Sequence, residues 1–292
     1  MTWRSKRAER HKMTETLTYA FPPGGLPTQS ENPEGTAVFT EAYAVIPASV
    51  QRDIVTSFLP GWNGMRMWIL ARPLTGFAET FAQYAVELAP GGGTSEPEPD
   101  IEAQAILFVA FGEVRLSIGG ARSILKAGSL AYIPAGAHWE IWNTSDAPCG
   151  FHWIRKRYDH MQSLNPLEAF TIHESEVTKS EMPDCDGVWA TQRFFDPFDL
   201  RHDCHVNIVN ILPGGRIPFA ETHVMEHGLY VLSGTAKYLL NKDWVDVGPG
   251  DFMWLRAFCP QACIATGDEP FRYLLYKDVN RHASLDLGGP RR

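Results

Sequence analysis

The stretch Glu221-Thr-His-Val-Met-Glu-His-Gly228 runs straight into Leu229-Tyr-Val-Leu-Ser-Gly234 and then into Lys237-Tyr-Leu-Leu240. Two imidazoles and two carboxylates fall between positions 221 and 227, and both groups are ordinary ligands of a divalent first-row metal. Alternate side chains share a face of an extended strand, so Glu221 and His223 point the same way. His227 keeps that parity. A strand bent by a short turn thus offers three donors to one point. The two runs that follow are strand-like, which places the donors in a β-structure. The competing reading is a polar loop with two chance histidines, and the rest of the chain decides between them.

Working outward, short apolar and aromatic runs recur at Met65–Leu70, Phe81–Leu88, Ala105–Phe111, Glu113–Ser117, Arg122–Leu125, Leu130–Ile133, Trp139–Trp142 and Gly150–Arg155. Gly or Pro punctuates nearly every gap. Many short strands at such spacing indicate an all-β sandwich or barrel. The second half repeats the first. Leu107-Phe-Val-Ala-Phe-Gly112 matches Leu229-Tyr-Val-Leu-Ser-Gly234, and Ala127-Gly-Ser-Leu130 matches Pro249-Gly-Asp-Phe252, both at an offset of 122. Ala89-Pro-Gly-Gly92 matches Leu212-Pro-Gly-Gly215 at 123, and His152–Lys156 matches Tyr273–Lys277 at 121. Four anchors in one order mean a duplicated β-barrel. The expected plan is an extended arm over 1–45, a first barrel over 46–158, a linker over 159–200 and a second barrel over 201–292. Within the linker, the polar run Ile172–Glu181 suits a short helix.

The chain has 292 residues, 44% hydrophobic and 21% charged, with a formal net charge of −8. Without clustered Lys and Arg, a nucleic-acid partner is not expected. No apolar run approaches the roughly 18 residues of a membrane span. Residues 1–12 are basic and polar with no apolar run behind them, which is not the pattern of a secretory signal. They read as a tail, or as the product of a start placed ahead of Met13. The five cysteines form no CxxC pair and read as reduced core thiols of a cytoplasmic protein.

The two copies differ where the chemistry would lie. At an offset of 122, Glu221, His223 and His227 correspond to Pro99, Ile101 and Ala105, none of them a ligand. The first barrel is therefore expected to be structural, with His138 a residual histidine. In the second, Cys263 has the parity to point inward and gives a thiolate alternative. Glu226 has the opposite parity to His223 and His227, which suits a structural role.

This arrangement resembles the cupin superfamily, whose barrels are double-stranded β-helices (jelly rolls). Glu221 stands where the first His of the usual first motif would be, and His227 where its Glu would be. Gln261 occupies the late ligand place of the second motif. That permutation, with Leu232-Ser-Gly234, Tyr276-Lys-Asp-Val-Asn-Arg281 and Lys156-Arg-Tyr158, is similar to the (S)-ureidoglycine aminohydrolases, a bicupin family of purine catabolism. The resemblance spans about residues 35–282 and is strongest over 205–282.

The resemblance implies manganese (Mn2+) held by Glu221, His223, His227 and Gln261, although an oxygen and nitrogen donor set also admits other divalent metals. It implies (S)-2-ureidoglycine as substrate, with (S)-ureidoglycolate and ammonia as products. Tyr238, Tyr273 and Lys277 match the family's substrate-binding positions, and a lysine suits the substrate's carboxylate. Glu221, the nearest carboxylate, is the candidate proton shuttle. A homo-oligomer is expected. The alternatives are another metal-dependent bicupin enzyme (an oxidase, dioxygenase or isomerase) and a non-catalytic binding bicupin.

Overall fold

The computed structural model describes residues 35–51, 59–73, 77–161 and 163–282. Most of the expected arm, including the choice between Met1 and Met13, lies outside the described residues. Two strands come first, β1 (Val38–Phe39) and β2 (Tyr43–Ile46). Then follow β3 (Asn63–Ala71), β4 (Phe81–Thr94), β5 (Ala103–Phe111), β6 (Glu113–Ile118), β7 (Ala121–Lys126), β8 (Ser129–Ile133), β9 (Trp139–Trp142) and β10 (Cys149–Arg157). A connecting region carries β11 (Phe170–His173) and β12 (Lys179–Glu181). The second half continues with β13 (Trp189–Arg193), β14 (His205–Ile211), β15 (His227–Ser233), β16 (Ala236–Leu240), β17 (Asp243–Val247), β18 (Phe252–Leu255), β19 (Gln261–Ala265) and β20 (Phe271–Lys277). Among the described residues the helical content is two single 3-10 turns, and no helix is long and apolar enough to cross a membrane.

The expected all-β, two-barrel architecture is what the chain forms. The expected helix over Ile172–Glu181 is not. Those residues form the second half of β11, one 3-10 turn at Glu174–Glu176, and β12. The turn is set by His173, whose Nδ1 accepts from the Ser175 N–H at 3.1 Å while Glu176 Oε1 accepts from the His173 N–H at 3.0 Å. Strand pairing on both sides limits the helix to that turn.

Three cores explain why so many strands read as continuous apolar runs. Alternate residues of a strand face opposite sides. In β5, Ala105, Leu107 and Val109 fill the first barrel, while Ile106 and Phe108 face outward into a core shared with the second. In β15, Leu229 and Val231 fill the second barrel, while Tyr230 and Leu232 turn to that shared core. The barrels therefore pack back to back through a sheet buried on both faces, as in sandwiches. Each barrel also borrows a strand from outside its own half. β2 pairs antiparallel with β18 of the second barrel, and β11 pairs with β8 of the first.

The duplication survives in the sheet registers, with one adjustment. Across β5–β10, Ala105 faces Arg155. Across β15–β20, the equivalent His227 faces Lys277. The final strands keep the 122 offset, so the counterpart of Lys277 is Arg155 rather than Lys156. The 121 offset followed residue likeness, whereas the ladder follows hydrogen-bonding partners. Gly112 and Gly234 occupy matching corners at φ +71° and +70°. A Cβ on Gly234 would stand 2.5 Å from the Pro270 carbonyl oxygen, so only glycine fits.

One polar clamp crosses the shared core. Glu226 is 5% exposed. Its carboxylate accepts from the backbone N–H of Glu79 and Thr80, from the Thr80 hydroxyl at 2.7 Å and from Trp254 Nε1 at 2.8 Å. The Glu226 N–H in turn donates to Asp278 Oδ1 at 3.0 Å. Thr80 Oγ1 also lies 2.9 Å from Asp278 Oδ2. One hydroxyl hydrogen cannot serve two carboxylates, which suits a protonated Asp278 donating to Thr80 while Thr80 donates to Glu226. Burial first, with the charge of Glu226 adding to it, raises the Asp278 pKa to about 6.

Two outcomes follow. Glu226→Ala strands four donors in a buried site and is expected to lower stability by about 3 kcal/mol, read from urea unfolding. A carboxyl whose folded pKa lies above its unfolded value loses stability as pH rises through that interval. Asp278→Asn is therefore expected to gain on the parent chain between pH 4 and 6, by on the order of 2 kcal/mol. A difference that stays flat across that window would refute the protonated Asp278.

Candidate metal centre

Three segments bring the predicted donors to the mouth of the second barrel. Residues 215–223 run as an irregular edge beside β19. The Ile217 N–H donates to the Cys263 carbonyl at 3.0 Å, and Glu221 and Gln261 exchange both backbone hydrogen bonds at 2.9 Å. The His223 carbonyl accepts from the Phe258 N–H at 2.6 Å. The chain then bends at Val224–Met225 and enters β15 at His227. The shared parity of Glu221 and His223 thus arises on an isolated bridge before the strand, and the bend carries His227 into the barrel.

His223 Nε2 lies 3.4 Å from Glu221 Oε1, and the rings of His223 and His227 stand 5.0 Å apart. The Tyr238 hydroxyl lies 3.2 Å from Gln261 Oε1 and 3.3 Å from the Tyr273 hydroxyl. Lys277 faces His227 on one neighbouring strand and His205 on the other. The structure therefore gathers all seven sequence-predicted residues, Glu221, His223, His227, Gln261, Tyr238, Tyr273 and Lys277, around one barrel mouth.

The observation that favours a metal is at His227. It is 2% exposed, and neither ring nitrogen has a hydrogen-bond partner. Buried imidazoles are ordinarily satisfied on at least one nitrogen. Burial, then the charges of Lys277 and His223, hold the His227 pKa well below the usual range. Gln261 opposes this weakly and lies near the ring without hydrogen-bonding geometry. The ring is thus neutral with its lone pair free, the form a metal requires. Among the described residues no three His, Cys, Asp or Glu side chains are already drawn to one point. Glu221 and His223 are each about one-quarter exposed. The donors fit a divalent ion of hard-to-borderline character.

The thiolate alternative fares worse. Cys263 faces Tyr238 inside the barrel, fully buried, and burial pushes its thiol far up. A protonated thiol is a poor ligand. Glu226 is committed to the clamp on the opposite face, as its parity suggests.

The first barrel has a different interior. Arg155 makes a bidentate ion pair with Glu98 and lies over the rings of Tyr84 and Trp153. Burial opposes the charge of Arg155, but the pair with Glu98 outweighs it and raises the guanidinium pKa. The loop residues Glu96–Pro99 line a cavity of about 570 Å³ with Trp62, Trp139 and the exposed His138.

Sequence reading missed three polar residues of the second barrel wall. His205 and Asn207 share the inward face of β14 with Val209 and Ile211, and Arg193 shares the face of Trp189 on β13. The signal was present in His205-Val-Asn-Ile-Val-Asn-Ile211, whose alternation becomes legible once the strand is placed.

Comparison with known proteins agrees with this fold. Residues 84–155 and 207–276 each match the family described as cupin domain. The chain is 30% identical to a probable (S)-ureidoglycine aminohydrolase of Oryza sativa subsp. japonica, covering 78% of this chain and 71% of that protein. It is 28% identical to the (S)-ureidoglycine aminohydrolase of Escherichia coli K12, covering 80% and 87% respectively. A Pseudomonas aeruginosa crystal structure, named as a glyoxylate-induced protein, superposes with TM-score 0.84 at 57% identity, covering 93% of this chain and 99% of that one.

Replacing His227 by Ala is expected to weaken retention of a divalent metal by at least about 100-fold, measured by elemental analysis after dialysis. His138→Ala is expected to leave the metal content unchanged.

Proposed function

Since the chain belongs to the (S)-ureidoglycine aminohydrolase family of two-barrel cupins, we propose that it hydrolyses (S)-2-ureidoglycine to (S)-ureidoglycolate and ammonia with a divalent metal in its second barrel. The observation that carries this reading is the unpartnered, neutral His227 beside Glu221, His223 and Gln261, with the Lys277 cation in the same barrel.

In the reaction, water replaces the amine on a carbon that also bears a carboxylate and a ureido group. Glu221, His223, His227 and Gln261 would hold the metal. When bound, Mn2+ or a similar ion supplies charge neutralisation and a fixed point that selects one stereochemical face. Lys277 binds the carboxylate. Burial lowers the Lys277 pKa, while the charge of Glu221 raises it and that of Arg193 lowers it again. A desolvated ammonium attracts an anion strongly.

Tyr238 and Tyr273 hold the substrate's polar edge with paired hydroxyls and keep Gln261 oriented. Departing ammonia needs a proton and attacking water must lose one. Glu221, partly exposed at the mouth, carries that proton from water to leaving group. The clamp at Glu226 fixes the residue before His227 and so sets the ring's place.

The same reading extends to location and assembly. Five free buried thiols suit the reducing cytoplasm. Phe219, Val224 and Phe258, exposed beside the mouth, suit burial in a homo-oligomer.

The test is ammonia release from freshly generated ureidoglycine by Mn2+-loaded protein, with allantoate and ureidoglycolate as controls. Release from ureidoglycine alone, without oxygen uptake, is expected; release from none sinks the assignment. Glu221→Gln is expected to cut kcat by about 100-fold or more with metal retained. Full turnover by that variant would refute the proton shuttle. Lys277→Met is expected to act mainly on KM, raising it by about tenfold or more.

A further inference from the structure

The duplicated fold contains its own control. Strand registers equate β13 and β14 of the second barrel with β3 and β4 of the first. Arg193 faces Asn207, which faces Leu275; in the first barrel Ile69 faces Tyr84, which faces Trp153. One pair further toward the mouth, His205 faces Lys277, and Ala82 faces Arg155. One pair deeper, Thr191 faces Val209, and Met67 faces Val86. The barrel with the candidate metal centre thus carries Thr191, Arg193, His205 and Asn207 where the other carries Met67, Ile69, Ala82 and Tyr84.

Asn207 and Thr191 each carry a buried polar atom in this strip with no hydrogen-bond partner, and Asn207 is the one on the strand that pairs with that of Lys277. It is 7% exposed, and its Oδ1 is buried with no hydrogen-bond partner. It shares the inward face with His205 and the core residues Val209 and Ile211, so the side chain with the unpartnered Oδ1 lies on the barrel's inner face. Its neighbours across the ladder are Leu275, which is apolar, and Arg193. Lys277 is its diagonal neighbour, roughly 7–8 Å away by sheet geometry. Arg193, exposed at the end of β13, lends its charge to the same end of the barrel. Burying a carboxamide unpaired costs about 1–3 kcal/mol, a cost the apolar first-barrel wall avoids.

We propose that Asn207 is a specificity-determining residue that recognises the ureido end of the substrate, with Lys277 holding its carboxylate. This rests on the proposed function. A carboxamide and a urea are complementary: Oδ1 accepts from a urea N–H while Nδ2 donates to the urea carbonyl. Neutral partners suit this place. His205 beside it has its pKa lowered to about 4 by burial and by Lys277, so it adds no charge near neutrality. Recognition through paired hydrogen bonds discriminates strongly, because a ligand without the ureido group leaves the buried amide unpaired.

The test separates ureido from carboxylate recognition without requiring turnover. Binding of N-carbamoylglycine, which has both groups but no amine to lose, is compared with binding of glycolate by calorimetry on Mn2+-loaded protein. For Asn207→Ala, N-carbamoylglycine is expected to weaken by about tenfold or more while glycolate shifts less than about threefold. Asn207→Leu keeps the site neutral and about the same volume, loses both hydrogen-bonding groups and is expected to show the same selective loss, so the test survives if the Ala variant does not fold. Equal shifts for both ligands, or no shift for either, would overturn the role of Asn207. Selective loss in a protein that releases no ammonia from ureidoglycine would sink the proposed reaction and leave this inference standing. Absence of N-carbamoylglycine binding to the parent chain would overturn it.

Discussion

The buried carboxylate of Glu226 ties the architecture to the chemistry. It sits in the core between the barrels and takes its donors from both halves, Glu79 and Thr80 on one side and Trp254 on the other. Its backbone N–H engages Asp278, which follows Lys277 in the chain. The clamp therefore grips the residues next to His227 and Lys277 and anchors both to the first barrel. A barrel without ligands of its own thus has a role, as the rigid support against which the other's mouth is held. Loosely supported sites lose function before they lose fold.

The same residue shows what was legible in the sequence. The strand runs, the duplication and the inward parity of Glu221, His223 and His227 could be read directly, because period-2 alternation and ligand type are local properties. The outward parity of Glu226 could be read too, but its partners could not, since Thr80 and Trp254 are distant in sequence. The wall residues were hidden for a related reason. His205 and Asn207 look ordinary until their strand is registered against Lys277. The short helix expected near Ile172–Glu181 failed because polar composition cannot reveal that β8 and β13 capture the flanking residues as strands. The 121 offset failed because Lys156, the residue alike to Lys277, lies one place from the ladder counterpart Arg155.

Duplication followed by divergence gives this chain two solutions to one geometric problem. Both barrel mouths place a cation on the last strand, Arg155 in one and Lys277 in the other. In the first, Glu98 neutralises the cation and Tyr84 and Trp153 pack beneath it, so the interior is sealed by its own side chains. In the second, the lysine has no such close carboxylate mate, the wall beneath is polar, and an imidazole is left bare. A cation paired in one barrel and left without a carboxylate mate in the other separates the supporting barrel from the one suited to a metal and a small anion.

The exchange of outer strands has a consequence for synthesis. Segment Tyr43–Ile46 leaves the ribosome early, yet its ladder partner β18 lies near the other end of the chain. Ala48 donates to Asp251, a separation of 203 residues. At typical elongation rates that is a delay on the order of 10 s or more. Throughout it, a short apolar strand waits unpaired while the first barrel can close only as far as β10, because β11 comes later. The first barrel's β8 edge is covered as soon as β11 is made, whereas β2 lacks β18 until translation is nearly done, and heat-shock or crowded expression hosts should show their effect on this protein through that window rather than through the finished fold.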